Sequence, residues 1–174
     1  KLMPIKVFQS TGQGNSITIA DGVEYAFNNG ATILNMSFAS SAESSTIRLA
    51  LETAYSSSFL VAAAGNDGVP IQGCAAPACR PFYPAAYSFV LGIYDNPPTS
   101  GYSNWDPDGP YETYWTGNLL NYELQAPGTG IISTVPNGGY ATLTGTSMAT
   151  PLVAGGLALY NEQKPEDSKE LIFG

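Results

Sequence analysis

Apolar positions in the first part of the chain switch between short unbroken runs and helical spacing. Residues 1–8 (KLMPIKVF), 31–38 (ATILNMSF) and 59–64 (FLVAAA) are apolar runs of strand length. Pro4 is tolerable in the first of them only near its start or on an edge. Residues 9–15 (QSTGQGN) read as a Gly-punctuated turn or extended edge. Between the runs, Ile19, Val23, Ala26 and Phe27 recur at helical spacing, and Asn29-Gly30 is a helix stop. Ser44-Ser45-Thr46 can cap a second helix carrying Ile47, Leu51, Ala54 and Tyr55. Strand–helix–strand–helix–strand is the βαβ pattern of a parallel sheet. Unbroken apolar strands fit a sheet covered on both faces. The expected fold is α/β in three layers, a mostly parallel sheet with helices on both faces.

Beyond Gly68 the helical signal lapses. Residues 88–94 (SFVLGIY) predict another strand, followed by a polar, aromatic stretch over 95–121. Short strands are expected at 123–126, 131–135 and 140–143, with turns at Pro127-Gly128 and Asn137-Gly138-Gly139. Gly145-Thr146-Ser147 then runs into an apolar, small-residue helix (Met148, Ala149, Leu152, Val153, Ala154, Leu157, Ala158, Leu159). Residues 162–174 read as a break at Pro165 and an incomplete helical turn. A serine in the first turn of a buried helix sits among unpaired N–H groups at the positive end of the helix dipole. That setting suits negative charge developing at its oxygen, and it also suits a plain N-cap.

Composition narrows the class without choosing between those roles. The 174 residues make one domain or a large piece of one. Only 11% are charged, against 44% hydrophobic, with 19 Gly and 13 Pro, which fits a turn-rich α/β domain. A net charge of −8 with six Lys+Arg argues against a nucleic-acid partner. No apolar run approaches the ~20 residues of a membrane span, so no membrane association is expected. The opening residues read as strand, not as a signal peptide. Cys74 and Cys79 lie close together, and with no histidine in the chain they cannot complete a tetrahedral zinc site. A short-loop disulfide is favoured over free thiols and points to an oxidising, extracellular compartment.

Ligands of open parallel sheets sit beyond the carboxyl ends of the strands. Asn35-Met36-Ser37-Phe38, Ala64-Gly65-Asn66 and the turn before Ser147 all fall at such ends. Asn66 could aim its amide into a cleft as a donor, or simply occupy a turn. Ser37 reads alone as a strand-end hydroxyl.

Taken in order, these blocks resemble the subtilisin-like serine proteases. Gly145-Thr146-Ser147-Met148-Ala149-Thr150-Pro151, with Val153-Ala154-Gly155 after it, looks like that family's nucleophile motif. Val61-Ala62-Ala63-Ala64-Gly65-Asn66-Asp67-Gly68 resembles its oxyanion-asparagine segment. Leu34-Asn35-Met36-Ser37-Phe38 resembles its substrate-binding strand, and Ala126-Pro127-Gly128 its Ala-Pro-Gly turn. The stretch from Ile5 through Gly12-Gln13-Gly14 to Glu24 is similar to its strand, binding edge and helix start.

The resemblance implies a serine endopeptidase acting on extended polypeptide through an acyl-enzyme on Ser147. Asn66 and the Ser147 N–H would hold the oxyanion. Gly12, Gln13 and Gly14 would flank the substrate on one side and Ser37, Phe38 and Ala39 on the other. Ala63, Ala64 and Gly65 would line the pocket for the side chain before the scissile bond, with Thr146 at the binding site. Met148, behind the nucleophile, would be oxidation-sensitive. Pro151, in the first helical turn, would forfeit few bonds.

The departures carry equal weight. The family's nucleophile needs a histidine base held by an aspartate, and this chain has no histidine. Both lie upstream of the segment matched here, so residues 1–174 are expected to be an N-terminally truncated catalytic domain. The partner is then the missing segment or chain supplying Asp and His. Alone, the chain is expected to be inactive or nearly so. Alternatives are a pseudoprotease or peptide-binding module, one chain of a nicked enzyme, and, more distantly, another α/β binding protein. Ala39 stands where relatives usually carry glycine. Residues 106–118 look like an insertion, and the aromatics Tyr111, Tyr114, Trp115 and Tyr122 fit packing it onto the body. No metal ligands are assigned. A structural calcium is left open at Tyr83-Pro84-Ala85-Ala86-Tyr87, while Asp106-Pro107-Asp108-Gly109 reads as a turn.

Overall fold

The computed structural model describes residues 1–72, 78–95, 101–107 and 122–165. Their elements run α1 (Ser16–Asn28), β1 (Ile33–Met36), α2 (Ser45–Tyr55), β2 (Phe59–Ala63), β3 (Leu91–Asp95), β4 (Leu124–Ala126), β5 (Ile131–Val135), β6 (Gly139–Leu143) and α3 (Thr146–Gln163). Strands β1-β2-β3-β4 form one sheet in that order, each neighbouring pair parallel. β5 and β6 form a separate antiparallel hairpin.

Local chemistry starts the helices where the sequence places them. Asn15 Oδ1 accepts from the Thr18 N–H at 2.9 Å, and Ser44 Oγ from the Ile47 N–H at 3.4 Å, so both act as N-caps. Gly30, at φ 81°, closes α1 by donating to the Phe27 carbonyl.

The alternation of side chains along the strands makes the three layers. Leu34, Met36, Leu60, Ala62 and Tyr94 join Val23 and Ala26 of α1 and Leu51 and Ala54 of α2 in one core. Val61, Leu91, Ile93 and Ala126 face the other way, against Ala149, Val153 and Leu157 of α3. The expected α/β class, with helices on both faces, is the observed one. α3 is buried only at Thr146, Ala149 and Thr150. Elsewhere on it Leu152 is 46% and Leu159 64% exposed, and a Cβ added at Gly155 or Gly156 would meet nothing within 4 Å.

Several expectations need correction. Residues 1–8 form no strand. A strand exists only through its ladder, and β1, the sheet's edge, pairs only with β2 among the described residues. Ile5 and Val7 instead lie on α1, so close that a Cβ on Gly22 would sit 2.3 Å from Val7 Cγ1. The strand expected at 88–94 begins only at Leu91, because the Val90 N–H turns back to the Tyr87 carbonyl. The strands expected at 31–38, 59–64 and 123–126 are shorter, and α3 continues to Gln163. It starts at Thr146 with Gly145 as N-cap, so Pro151 lies beyond the first turn. Cys74, Asp108, Gly109, Tyr111, Tyr114, Trp115 and residues 166–174 lie outside the described residues. Tyr122 is buried, and its hydroxyl accepts from the Phe82 N–H at 3.1 Å. Asp106 accepts from the Tyr122 N–H at 3.0 Å.

Candidate active site

All four parallel strands deliver their carboxyl ends to one edge, where the N-terminus of α3 arrives. Ser147 is the second residue of that helix, and its hydroxyl caps nothing. It donates to the Ser37 carbonyl at the end of β1, at 2.9 Å. Ser37 answers by donating its own hydroxyl to the Ser147 carbonyl at 3.1 Å, and Asn35 Nδ2 donates to Ser37 Oγ at 3.0 Å. Pro151 is the reason the Ser147 carbonyl needs that partner. The N–H four residues on would ordinarily fill it, and proline has none. Gly145, ahead of the helix, donates to the Gly128 carbonyl at 2.9 Å and accepts from the Met148 N–H at 2.9 Å.

Asn66 follows the end of β2 and is oriented by Thr146. Its Oδ1 accepts from the Thr146 N–H at 2.9 Å and from Thr146 Oγ1 at 3.1 Å. With the oxygen committed to two donors, Nδ2 is turned the other way as the donating end. Thr146, 0% exposed, also accepts from the Gly65 N–H at 3.1 Å, which locks the two segments together. A Cβ at Gly145 would lie 3.3 Å from Asn66 Nδ2, so glycine lets the turn approach this closely.

The expected substrate-binding residues fall in two places. Gly12, Gly14, Phe38 and Ala39 line a cavity of about 230 Å³ together with Phe8 and Tyr83. Its wall includes an edge-to-face pair of Phe8 and Phe38, 5.2 Å between ring centres. Gln13 belongs to the same turn, its carbonyl accepting from the Gln9 N–H at 2.9 Å. Ser37 lies instead against Ser147. Ala63 and Ala64 are buried at the end of β2, and Gly65 is buried at φ 102°. Burial, and then the Glu43 charge, raise the Tyr83 hydroxyl and push Tyr87 up to about 12, so both phenols bordering the cavity stay neutral at ordinary pH.

Two buried residues that sequence reading did not single out also reach this edge. Asp95, at the end of β3, accepts from the Gly128 N–H at 2.5 Å, from Thr129 Oγ1 at 2.8 Å and from the Tyr102 hydroxyl. The strand-end rule could have found it. Asn104, in the aperiodic stretch after β3, bonds the loop that carries Asn66. Among the described residues no group of three or more His, Cys, Asp or Glu could hold a metal. The Tyr83, Pro84 and Tyr87 carbonyls accept from the Ser40, Tyr87 and Val90 N–H groups. Cys79 is buried and carries no free thiol. No helix among the described residues is long and apolar enough to cross a membrane.

The family model for the Subtilase family matches residues 1–172. Alkaline elastase YaB from Bacillus sp. (strain YaB) is 37% identical over 94% of this chain, which covers 39% of that protein. Subtilisin Savinase from Lederbergia lenta is 34% identical over 95% of the chain and 55% of its own length. Among solved structures, Sphericase matches with a TM-score of 0.74 at 31% identity, over 93% of this chain and 54% of its own. The chain thus spans roughly two-fifths to just over half of these relatives. With the parallel sheet, the Ser147–Ser37 bonds and the hold of Thr146 on Asn66 already described, a match over nearly the whole chain means that it belongs to the subtilase family.

Proposed function

We propose that this chain is the later part of the catalytic domain of a serine endopeptidase that cleaves extended polypeptides. Ser147 Oγ attacks the peptide carbonyl carbon. The hydroxyl proton passes to a base and then to the leaving amine, and water resolves the acyl-enzyme. Asn66 Nδ2 and the Ser147 N–H hold the oxyanion. The substrate lies between Gly12-Gln13-Gly14 and Ser37-Phe38-Ala39, with Ala63, Ala64 and Gly65 at the pocket for the residue before the cut, and buried Thr146 serves the site through Asn66. The observation that carries this reading is the fixed amide of Asn66, its oxygen held by Thr146, the residue just before Ser147, which leaves its nitrogen as the free donating end.

The base and its aspartate come from residues outside these 174, in the same polypeptide or in a second chain. The absence of histidine here supports this, as does the share of each relative covered. So does α3, because a helix apolar on most of its circumference is normally buried, yet Leu159 is 64% exposed here. Without the base the chain retains peptide binding and loses nearly all turnover, about 10⁶-fold by the value measured on subtilisin itself. The lack of histidine also favours a second reading, a peptide-binding module that does not cleave. We place the protein outside the cell, with Cys74 and Cys79 joined.

A fluorophosphonate probe separates these readings. It should label Ser147 when the Asp- and His-bearing segment is present, and not in the isolated chain or in Ser147→Ala. Labelling of the isolated chain would contradict its dependence on an outside base. Absence of labelling with that segment bound would leave the binding module.

A further inference from the structure

Asn66 is only as useful as the loop that carries it. That loop leaves the sheet at Gly65, at φ 102°, so beyond the Ala64 N–H, which still donates to the Ile93 carbonyl, the backbone groups of residues 64–69 lose the regular ladder and need other partners. One buried side chain supplies several of them. Asn104, 0% exposed, donates Nδ2 to the Ala64 carbonyl at 2.8 Å. Its Oδ1 accepts from the N–H groups of Asp67 at 2.9 Å and Val69 at 3.2 Å. Its own backbone N–H donates to the Gly65 carbonyl at 3.0 Å. The loop is therefore pinned on both sides of Asn66.

The chemistry selects an amide. Donor and acceptor are needed at one side-chain tip, and among side chains of this length only asparagine offers both without charge. The fit is close: a Cβ on Gly65 would lie 2.5 Å from Asn104 Nδ2. The amide cannot slide without displacing Gly65 or breaking its bonds to Ala64, Asp67 and Val69.

We infer that Asn104 is a positioning residue for the hydrolysis proposed above, holding the loop so that Asn66 Nδ2 is aimed at the oxyanion before substrate arrives. It touches no substrate and acts only through Asn66. The inference rests on the proposed function. It predicts a loss of transition-state stabilisation without a matching loss of substrate binding. A misplacement of about 1 Å can cost about 10²-fold, and deleting an oxyanion asparagine about 10²–10³-fold, the latter measured on a subtilisin. Removing Asn104 should therefore lower kcat by about 10–10²-fold, below the cost of removing Asn66.

The test is a double-mutant cycle on the protein together with the segment that supplies the base, with kcat and KM measured on a peptide substrate. Asn104→Ala should lower kcat by about 10-fold or more and change KM by no more than about twofold. In an Asn66→Ala background the same substitution should cost less than about threefold, because its route to the reaction is already gone. Equal losses in both backgrounds, or an unchanged kcat, overturn the inference. If Asn104→Ala does not fold, Asn104→Ser replaces it in the cycle. If neither folds, the residue serves the fold alone and the inference fails. An unmutated protein without Ser147-dependent hydrolysis would refute the proposed function instead, and that control separates the two failures.

Discussion

Asp95 should be among the costliest single polar side chains to remove, and its environment gives the magnitude. Its carboxyl group is 0% exposed and accepts from the Gly128 N–H, Thr129 Oγ1 and the Tyr102 hydroxyl. Asp95→Ala strands the buried Gly128 N–H, at about 1–3 kcal/mol, and removes two bonds from partly exposed hydroxyls, at about 1 kcal/mol each. The sum is about 3–5 kcal/mol. Asp95→Asn keeps an oxygen for Gly128 but puts an NH2 where both hydroxyls donated, so those bonds must reverse and lose their charge, at about 1–2 kcal/mol. At about 2–4 °C per kcal/mol for a chain of this size, the alanine variant should melt ~10 °C below the parent. The asparagine variant should fall between them. Calorimetry reads the order, and amide hydrogen exchange adds a local signature. Because Gly145 donates to the Gly128 carbonyl, its amide should exchange faster in Asp95→Ala. An alanine variant melting within about 2 °C of the parent would refute this reasoning. So would an asparagine variant less stable than the alanine one.

Glu123 is buried, its Oε2 accepts from the Gly92 N–H at 2.5 Å, and burial, opposed by that bond, raises its carboxyl well above 4.5. A raised folded-state value means its contribution is full below the unfolded value and is lost as pH rises through the folded one. Melting temperature should therefore fall across this window in the parent and fall less in Glu123→Gln; equal slopes would refute the assignment. Gly65→Ala places a Cβ 2.5 Å from Asn104 Nδ2 at φ 102°, and should cost about 2–4 kcal/mol in urea denaturation. A loss below about 1 kcal/mol would mean the loop yields easily. Leu159→Gln should change the stability of the isolated chain by less than about 0.5 kcal/mol and cost about 2 kcal/mol once the base-bearing segment is bound. Equal effects in both states would show that the segment does not cover α3.

What could be read from the sequence was local, and what could not was a matter of distant partners. Ser44 announces α2 because a cap and the helix it starts are contiguous, and the run 59–64 declares a buried strand by composition alone. Residues 1–8 have the same apolar character, yet form no strand, since pairing depends on a neighbour that composition does not reveal. Ser147, Asn66 and Ser37 stood out through ordered blocks with strand ends beside them. Asn104 carries no such signal. Its value lies in meeting Ala64, Asp67 and Val69, groups far away in sequence that become needy only once Gly65 turns the chain out of the sheet. Pro151 misled in a related way, because its missing N–H falls opposite the Ser147 carbonyl and is answered by Ser37, remote in the chain.

On the proposed function, those distant bonds also bear on what a base from outside these 174 residues would have to do. Ser37 and Gly128 fix the start of α3, Thr146 orients Asn66, and Asn104 holds its loop, all from within this chain. On the proposed function, the oxyanion side would be built before any base arrives, and residues outside these 174 would have no need to assemble it. They would instead have to compete for one proton. A hydroxyl has a single hydrogen to donate, and here it is directed at the Ser37 carbonyl at 2.9 Å. A base could accept it only if that hydrogen turned away from Ser37, by rotation about Cβ–Oγ, and the Ser37 carbonyl would then lose this donor on the segment proposed to pair with substrate. On the proposed function, arming Ser147 and freeing the Ser37 carbonyl for substrate would be the same hydroxyl rotation.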